Sequence, residues 1–202
     1  PQNPKTPRKG DIIIIIKAIE KFEQKELFPG HCFCSKTTNR NVEAGGKKFE
    51  VLEEGQIKIL REKRITNTDI VVSVCHGDIT YEKSDSIVCP ANNFLQFHGG
   101  VAACILRRGG KCIQEETDAI LQEKIMIPTG TVEVTGSGRL KCQYIIHAVG
   151  PNLNDPSQLG LDRAMLLSFA MNNALQIADE DLQCSSISIP AIATGSFGFP
   201  KK

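Results

Sequence analysis

Two rhythms alternate along this chain. Short runs in which nearly every residue is apolar, many of them β-branched, stand between stretches whose apolar residues recur every three or four positions. Residues 11–16 form the first run and predict a buried strand. Residues 17–27 predict a short helix, closed by Pro29 and Gly30. Residues 35–46 are polar and predict a loop. Residues 49–52 and 56–60 alternate and flank Glu53-Glu54-Gly55, which predicts a hairpin.

After Asp69 the alternation becomes regular. Residues 70–75 predict a strand ending at Gly77-Asp78, and 86–89 a second ending at Pro90-Ala91-Asn92. Gly99-Gly100 opens a helix to Arg108, Gly109-Gly110 breaks it, and 112–122 resumes it. Residues 131–134 and 143–149 predict strands. Residues 161–178 predict an amphipathic helix with Leu161, Ala164, Met165, Ala174, Leu175 and Ala178 on its apolar stripe. Residues 186–190 predict a last strand before a glycine-rich stretch, 193–200. Strands alternating with helices imply an α/β sheet with parallel neighbours, whose ligands bind beyond the carboxyl ends of the strands. No internal repeat is present.

Composition narrows the class. The chain has 202 residues, 41% of them hydrophobic, enough for one domain with a buried core. No apolar run approaches the ~20 residues of a bilayer span. No apolar segment of signal-peptide type follows the charged start, and no membrane partner is expected. Most of the eight cysteines sit in apolar runs such as SVCHG, SIVCPA and AACIL, as reduced core residues do. His31, Cys32 and Cys34 form a tight HCFC cluster, but a structural zinc site wants four ligands and no second pair is in sight, so no metal is expected. Net charge is +1, with 14 Lys/Arg against 9 Asp/Glu in residues 1–64 and 10 against 14 in the remainder. The basic part interleaves Lys and Arg with Glu, which reads as a solvated surface rather than a nucleic-acid footprint.

Three strand ends carry candidate chemistry. At Gly77-Asp78-Ile79-Thr80, a carboxylate can accept from an exocyclic amine such as that of adenine, or simply cap a turn. At Ala91-Asn92-Asn93 and His98-Gly99-Gly100-Val101-Ala102, an amide can bond ribose hydroxyls. There the glycines let a phosphate approach the free N–H groups of a helix N-terminus. The pattern is neither the Walker loop nor GxGxxG. At Ala193-Thr194-Gly195-Ser196-Phe197-Gly198-Phe199, backbone amides can cradle a second phosphate and Phe197 offers a face to a ribose or base. Taken singly, each also reads as an ordinary turn.

Taken together they resemble the macrodomain family. The residues that carry the resemblance are Gly77-Asp78-Ile79-Thr80, Ile87-Val88-Cys89-Pro90-Ala91-Asn92, Gly99-Gly100-Val101-Ala102 and Thr194-Gly195-Ser196-Phe197-Gly198-Phe199-Pro200. Val134-Thr135-Gly136-Ser137-Gly138-Arg139-Leu140 and Ile145-Ile146-His147-Ala148-Val149-Gly150-Pro151 lie between them in the family's order. The stretch from Gly109 to Glu116 is similar to macrodomains of the poly(ADP-ribose) polymerase family, B-aggressive lymphoma type. The resemblance covers residues 46–202 and leaves 1–45 as an extension of unknown role.

It implies a three-layer α-β-α fold with a mixed sheet, ADP-ribose as ligand and no cofactor. Asp78 would hold the adenine amine and Ile79 would line the adenine pocket. Asn92 would hold the distal ribose. The amides of Gly99, Gly100, Val101 and Ala102 would take one phosphate. Those of Thr194, Gly195, Ser196 and Phe197 would take the other, with Phe197 also packing on the distal ribose. ADP-ribosylated proteins, and a ubiquitin ligase, are the partners implied. Nuclear and cytoplasmic residence, with roles in DNA-damage response and innate immunity, are the setting implied.

Departures from the family pattern qualify the activity. Cys89 and Pro90 replace the usual Asn-Ala, and His98 stands for the first of three glycines. That ring can narrow the ribose mouth, donate to a phosphate or point to solvent. Ala102 stands where one hydrolytic class has Asp, which removes its base. The reading is therefore a binding module for ADP-ribose on mono- or poly-ADP-ribosylated proteins. Its alternative is a hydrolase releasing mono-ADP-ribose from Asp/Glu side chains, with Asn92 holding the water. No transferase signature is present. A third reading gives residues 1–45 a nucleic-acid role. The family continues with a helix, strand and helix after the second phosphate loop, so an incomplete C-terminal part and an unpaired sheet edge are expected.

Overall fold

The computed structural model describes residues 11–18, 41–44, 47–50, 55–158, 160 and 162–200. His31, Cys32 and Cys34 lie outside them, as does all but the start of the helix expected over 17–27.

Among the described residues nine strands form: β1 (Asp11–Ala18), β2 (Asn41–Ala44), β3 (Lys47–Glu50), β4 (Lys58–Arg64), β5 (Ile70–Gly77), β6 (Ser86–Ala91), β7 (Val132–Gly136), β8 (Tyr144–Val149) and β9 (Ser186–Pro190). The helices are α1 (Gly100–Gly109), α2 (Cys112–Glu123) and α3 (Arg163–Gln176). Seven strands make one mixed sheet in the order β4-β5-β1-β9-β6-β8-β7, and β2-β3 is a separate hairpin. β6 runs parallel to β8 and β9, while β1 runs antiparallel to both β5 and β9.

Side chains alternate across the sheet and build a layer on each face. Cys75, Ile87, Cys89 and Ile145 pack against Ala102, Ile105 and Ile113 of α1 and α2. Val88, Ile146, Ala148, Ile187 and Ile189 pack against Ala170 and Ala174 of α3 and Ala178 beyond it. Strands buried on both faces read as continuous apolar runs, which is why β6, β8 and β9 stood out in the sequence.

Four expectations change. The polar stretch 35–46 contains a strand, because Asn41–Ala44 pairs with Lys47–Glu50. The expected hairpin of 49–52 with 56–60 is not formed by its described part: Phe49 and Glu50 pair with Val42 and Asn41, and residues 51 and 52 lie outside the described residues. Residues 56–60 lead instead into β4, which runs to Arg64 and pairs antiparallel with β5. Two-residue alternation marks a strand without naming its partner. The edge beside β9 is not left open, since β1 takes it and satisfies β5 on its other side. In α3, capped by Asp162 accepting from Met165 N at 3.0 Å, the buried stripe runs through Ala170 and Ala174, while Ala164 is exposed and Met165 is 48% exposed.

The amino-terminal edge of the parallel strands is pinned by Asp85. Its Oδ2 accepts from Ser185 N (2.8 Å), Ser186 N (3.0 Å) and Ser186 Oγ (3.2 Å), and its carbonyl accepts from Gln143 N at 2.7 Å. One residue, through its side chain and its carbonyl, thus joins the starts of β6, β8 and β9, and the loops of the opposite edge are held separately.

Candidate functional site

Strand direction assembles the site. Both β5 and β9 oppose β1, so they run alike, and β6 and β8 run with β9. The chain therefore leaves β5 at Asp78, β6 at Asn92, β8 at Gly150 and β9 at Ala191 along one edge of the sheet. The three strand ends picked out in the sequence meet there, joined by a fourth.

Asp78 caps the 3-10 turn Ile79–Tyr81, its Oδ1 accepting from Thr80 N (3.0 Å) and Thr80 Oγ1 (2.7 Å). Both bonds fall on one oxygen, so Oδ2 of this exposed carboxylate remains for an outside donor. Ile79 and Thr80 are buried beneath it. The Arg108 guanidinium lies 3.6 Å from the Tyr81 ring centroid, which ties the turn to the end of α1.

The loop from β6 to α1 is organised by two asparagines. Asn92 Oδ1 accepts from Phe94 N and Gln96 N, each at 3.0 Å, while its Nδ2 has a single long contact, 3.5 Å to Gln96 Oε1. Asn93 donates from Nδ2 to the Ile127 carbonyl (2.7 Å) and to Thr129 Oγ1 (3.2 Å), holding the loop onto its neighbour. Gly99 is extended, Gly100 takes φ +59°, and a Cβ on either would meet nothing within 4 Å. The N–H groups of Gly100, Val101 and Ala102 open α1 with no acceptor inside the helix, the first capped turn bond being Ala103 N to Gly99 O at 3.3 Å. Ala102 is 7% exposed, its methyl in the core, so its N–H is what faces the edge. His98 is exposed.

The loop after β9 is a closed bow. Phe199 N donates to Ala193 O (2.9 Å) and Gly198 N to Gly195 O (3.1 Å), while the N–H groups of Thr194, Gly195, Ser196 and Phe197 have no acceptor among the described residues. Loop 150–158 braces it from outside: Leu153 N donates to Phe197 O (2.9 Å) and Asn154 Nδ2 to Ser196 O (2.8 Å). Phe197 is half-buried against the α3-side core. A Cβ on Gly195 would also meet nothing within 4 Å. Neither residues 92–102 nor 191–199 contain Asp or Glu, so both loops offer partial positive charge uncancelled by their own side chains.

Behind the first loop, His147 is 1% exposed. Its Nε2 lies 2.8 Å from Thr135 Oγ1, which itself donates to Gly136 O at 3.1 Å, and its ring meets Phe97 edge-on at 5.7 Å. Nε2 therefore carries the proton and donates to Thr135, leaving Nδ1 an unfilled acceptor. Burial lowers the His147 pKa to about 4, so the ring stays neutral and shielded from any ligand. Burial pushes the Cys89 thiol up, and Cys142 up to about 11, which makes both inert core residues. Cys112, outside those apolar runs, is exposed. Among the described residues no group of three or more His, Cys, Asp or Glu is placed to hold a metal, and no helix is long and apolar enough to cross a membrane.

Asn93 and Asn154 brace the site and Asp85 pins the opposite edge of the sheet, and none of the three is legible as a brace from the sequence. Each stands in a short polar stretch beside a strand end or a turn, which marks no partner.

The sequence profile of the macro domain family matches residues 88–202. An uncharacterised protein of Thermotoga maritima is 50% identical over 131 residues, covering 65% of this chain and 21% of that one. Protein mono-ADP-ribosyltransferase PARP9 of Mus musculus is 38% identical over 133 residues, covering 65% of this chain and 15% of that one. The chain thus spans about a fifth of the first relative's length and less of the second's. Among solved structures, the Oceanobacillus iheyensis macrodomain with ADP is 30% identical and superposes with a TM-score of 0.62, covering 72% of this chain and 74% of that one. With more than half of its length matched, its mixed sheet flanked by helices on both faces, and its loops gathered on one strand edge, the chain belongs to the macro domain family.

Proposed function

We propose that this chain binds ADP-ribose carried on modified proteins. The carrying observation is the pair of open backbone cradles, at Gly99–Ala102 and Thr194–Phe197, on one strand edge and free of carboxylates. Two such cradles suit the two phosphates of a diphosphate, and the Oceanobacillus relative was solved with ADP. In this reading Asp78 Oδ2 accepts from the adenine amine over Ile79. Asn92 Nδ2 bonds the distal ribose, and Phe197 supports the second cradle and lies along that ribose.

Binding rather than turnover is the reading favoured. A hydrolase needs a group to activate water, and loops 92–102 and 191–199 supply no carboxylate. Asn92 Oδ1 is taken up by its own turn. The alternative, release of ADP-ribose from Asp/Glu side chains, rests on Asn92 Nδ2, whose single weak contact leaves it able to orient a water.

Calorimetric titration with ADP-ribose is the test, on the native chain and on an Asp78→Asn, Asn92→Ala double variant. Asp78→Asn keeps an oxygen for the Thr80 cap while presenting a donor where the adenine amine needs an acceptor. Saturable binding that the variant loses supports the proposal, and a folded native chain that binds nothing ends it. Incubation with a peptide ADP-ribosylated on Glu then separates the two readings: release of free ADP-ribose establishes the hydrolase.

A further inference from the structure

A cleft of about 560 Å³ lies beside the first glycine loop, between residues 94–98 and the helices α1 and α2. Its walls are Phe94, Phe97, Leu106, Leu121 and Ile125. Gln96, Gln114 and Asp118 are among its polar groups. We propose that this cleft docks the polypeptide bearing the ADP-ribose, taking from it an apolar side chain next to a lysine or arginine. The inference rests on the ADP-ribose reading above and extends it to the carrier.

Position comes first. Gln96 lines the cleft, and its Oε1 is 3.5 Å from Asn92 Nδ2, the group assigned to the distal ribose. A carrier protein is joined to ADP-ribose through that ribose. A chain leaving it is therefore within one side-chain length of the cleft.

The walls fit an apolar guest. Phe94 is 50% and Ile125 93% exposed, large apolar groups at the rim that the core does not claim. The volume falls in the range of binding pockets, roughly 300–1,000 Å³, with room for one or two side chains.

Charge selects the guest. Asp118 is the carboxylate of the lining and no Lys or Arg belongs to it. Its Oδ1 accepts from Gln114 Nε2 at 2.8 Å, which leaves Oδ2 for an incoming cation. Glu115, one turn earlier on the same helix, is paired with Lys111 at 3.3 Å, so Asp118 is the charge that meets the guest. With Asp118 as its carboxylate and His98 at its glycine-loop side, the lining favours a basic neighbour of the modified residue at the Asp118 end.

The test compares three ligands by titration: free ADP-ribose, a mono-ADP-ribosylated peptide with Leu-Lys beside the modified residue, and the same peptide with Gly-Glu there. The native chain is expected to bind the Leu-Lys peptide about tenfold more tightly than either other ligand. Ile125→Ser and Asp118→Asn, both at exposed positions, are each expected to erase most of that preference and to leave the affinity for free ADP-ribose unchanged. Equal affinity of the native chain for all three ligands overturns the inference, as does a preference that survives both variants. Failure to bind free ADP-ribose takes down the nucleotide reading and the cleft with it. Binding of free ADP-ribose without the peptide preference removes the cleft alone.

Discussion

Helix α1 begins and ends with a glycine pair, and the two pairs do opposite things. At Gly99-Gly100 a Cβ would meet nothing within 4 Å, and the backbone N–H groups beyond have no acceptor among the described residues. At the other end, a Cβ on Gly109 would sit 2.2 Å from Ile113 Cδ1 and 3.2 Å from Ser137 O. Gly138 closes on the same spot with φ +58°, its Cβ position 2.2 Å from the Gly109 carbonyl oxygen. Arg139 N then donates to that oxygen at 2.9 Å. One pair keeps the side-chain layer away so that something else can approach the backbone. The other lets helix and turn touch. The same dipeptide thus marks an empty place or a full one, and local sequence does not say which.

The largest effect is expected at the packed end. Gly138→Ala places a methyl against a backbone oxygen at a left-handed φ and should cost about 3 kcal/mol of stability in urea unfolding. An unchanged midpoint would mean that the contact is not tight and the contrast between the ends is false.

Acid probes the packed face without altering a glycine. The His147 pKa is depressed to about 4 from an ordinary 6.5, so the unfolded chain takes up a proton that the folded chain refuses. Stability should be full above pH 6.5, fall as pH drops from 6.5 to 4, and level off below. The loss is on the order of 3 kcal/mol. His147→Gln, which cannot titrate, should flatten this part of the pH profile.

At the open end the expectation reverses. Gly99→Val fills space that a phosphate needs, at an extended backbone any residue adopts, so ADP-ribose affinity should fall about tenfold or more while the unfolding midpoint stays within ~0.5 kcal/mol. A variant that binds as well as the native chain would show that this end is vacant for no ligand's sake.

The smallest effect separates the two uses of Asp78. Asp78→Ala removes the Thr80 cap and should cost about 1 kcal/mol, whereas Asp78→Asn should keep the stability and lose affinity alone. Thermal melts beside titrations distinguish them.

Most elements after Asp69 were legible because both faces of β6, β8 and β9 are buried and their apolar runs are unbroken. The glycines and the small polar residues at the strand ends were legible for a related reason, since ends of buried strands must turn, and turns need those residues. Before Asp69 the reading was poorer. The strand Asn41–Ala44 is only four residues long, and β4 is exposed along its whole length, so β4 carries no burial pattern. In α3, the expected stripe included Met165, which lies on the outer face, and left out Ala170, which is buried.

The sequence by itself determined that strands and helices alternate, which residue types stand at the strand ends, and that no carboxylate occupies either glycine loop. These depend on neighbours along the chain. Only the tertiary structure decided that β1 lies between β5 and β9, that Asp85 and Asn93 are braces, and which glycine pair is open. Each of those depends on strands or loops far apart in sequence meeting at hydrogen-bond distance, and residue order encodes no such partner until the sheet has fixed its register.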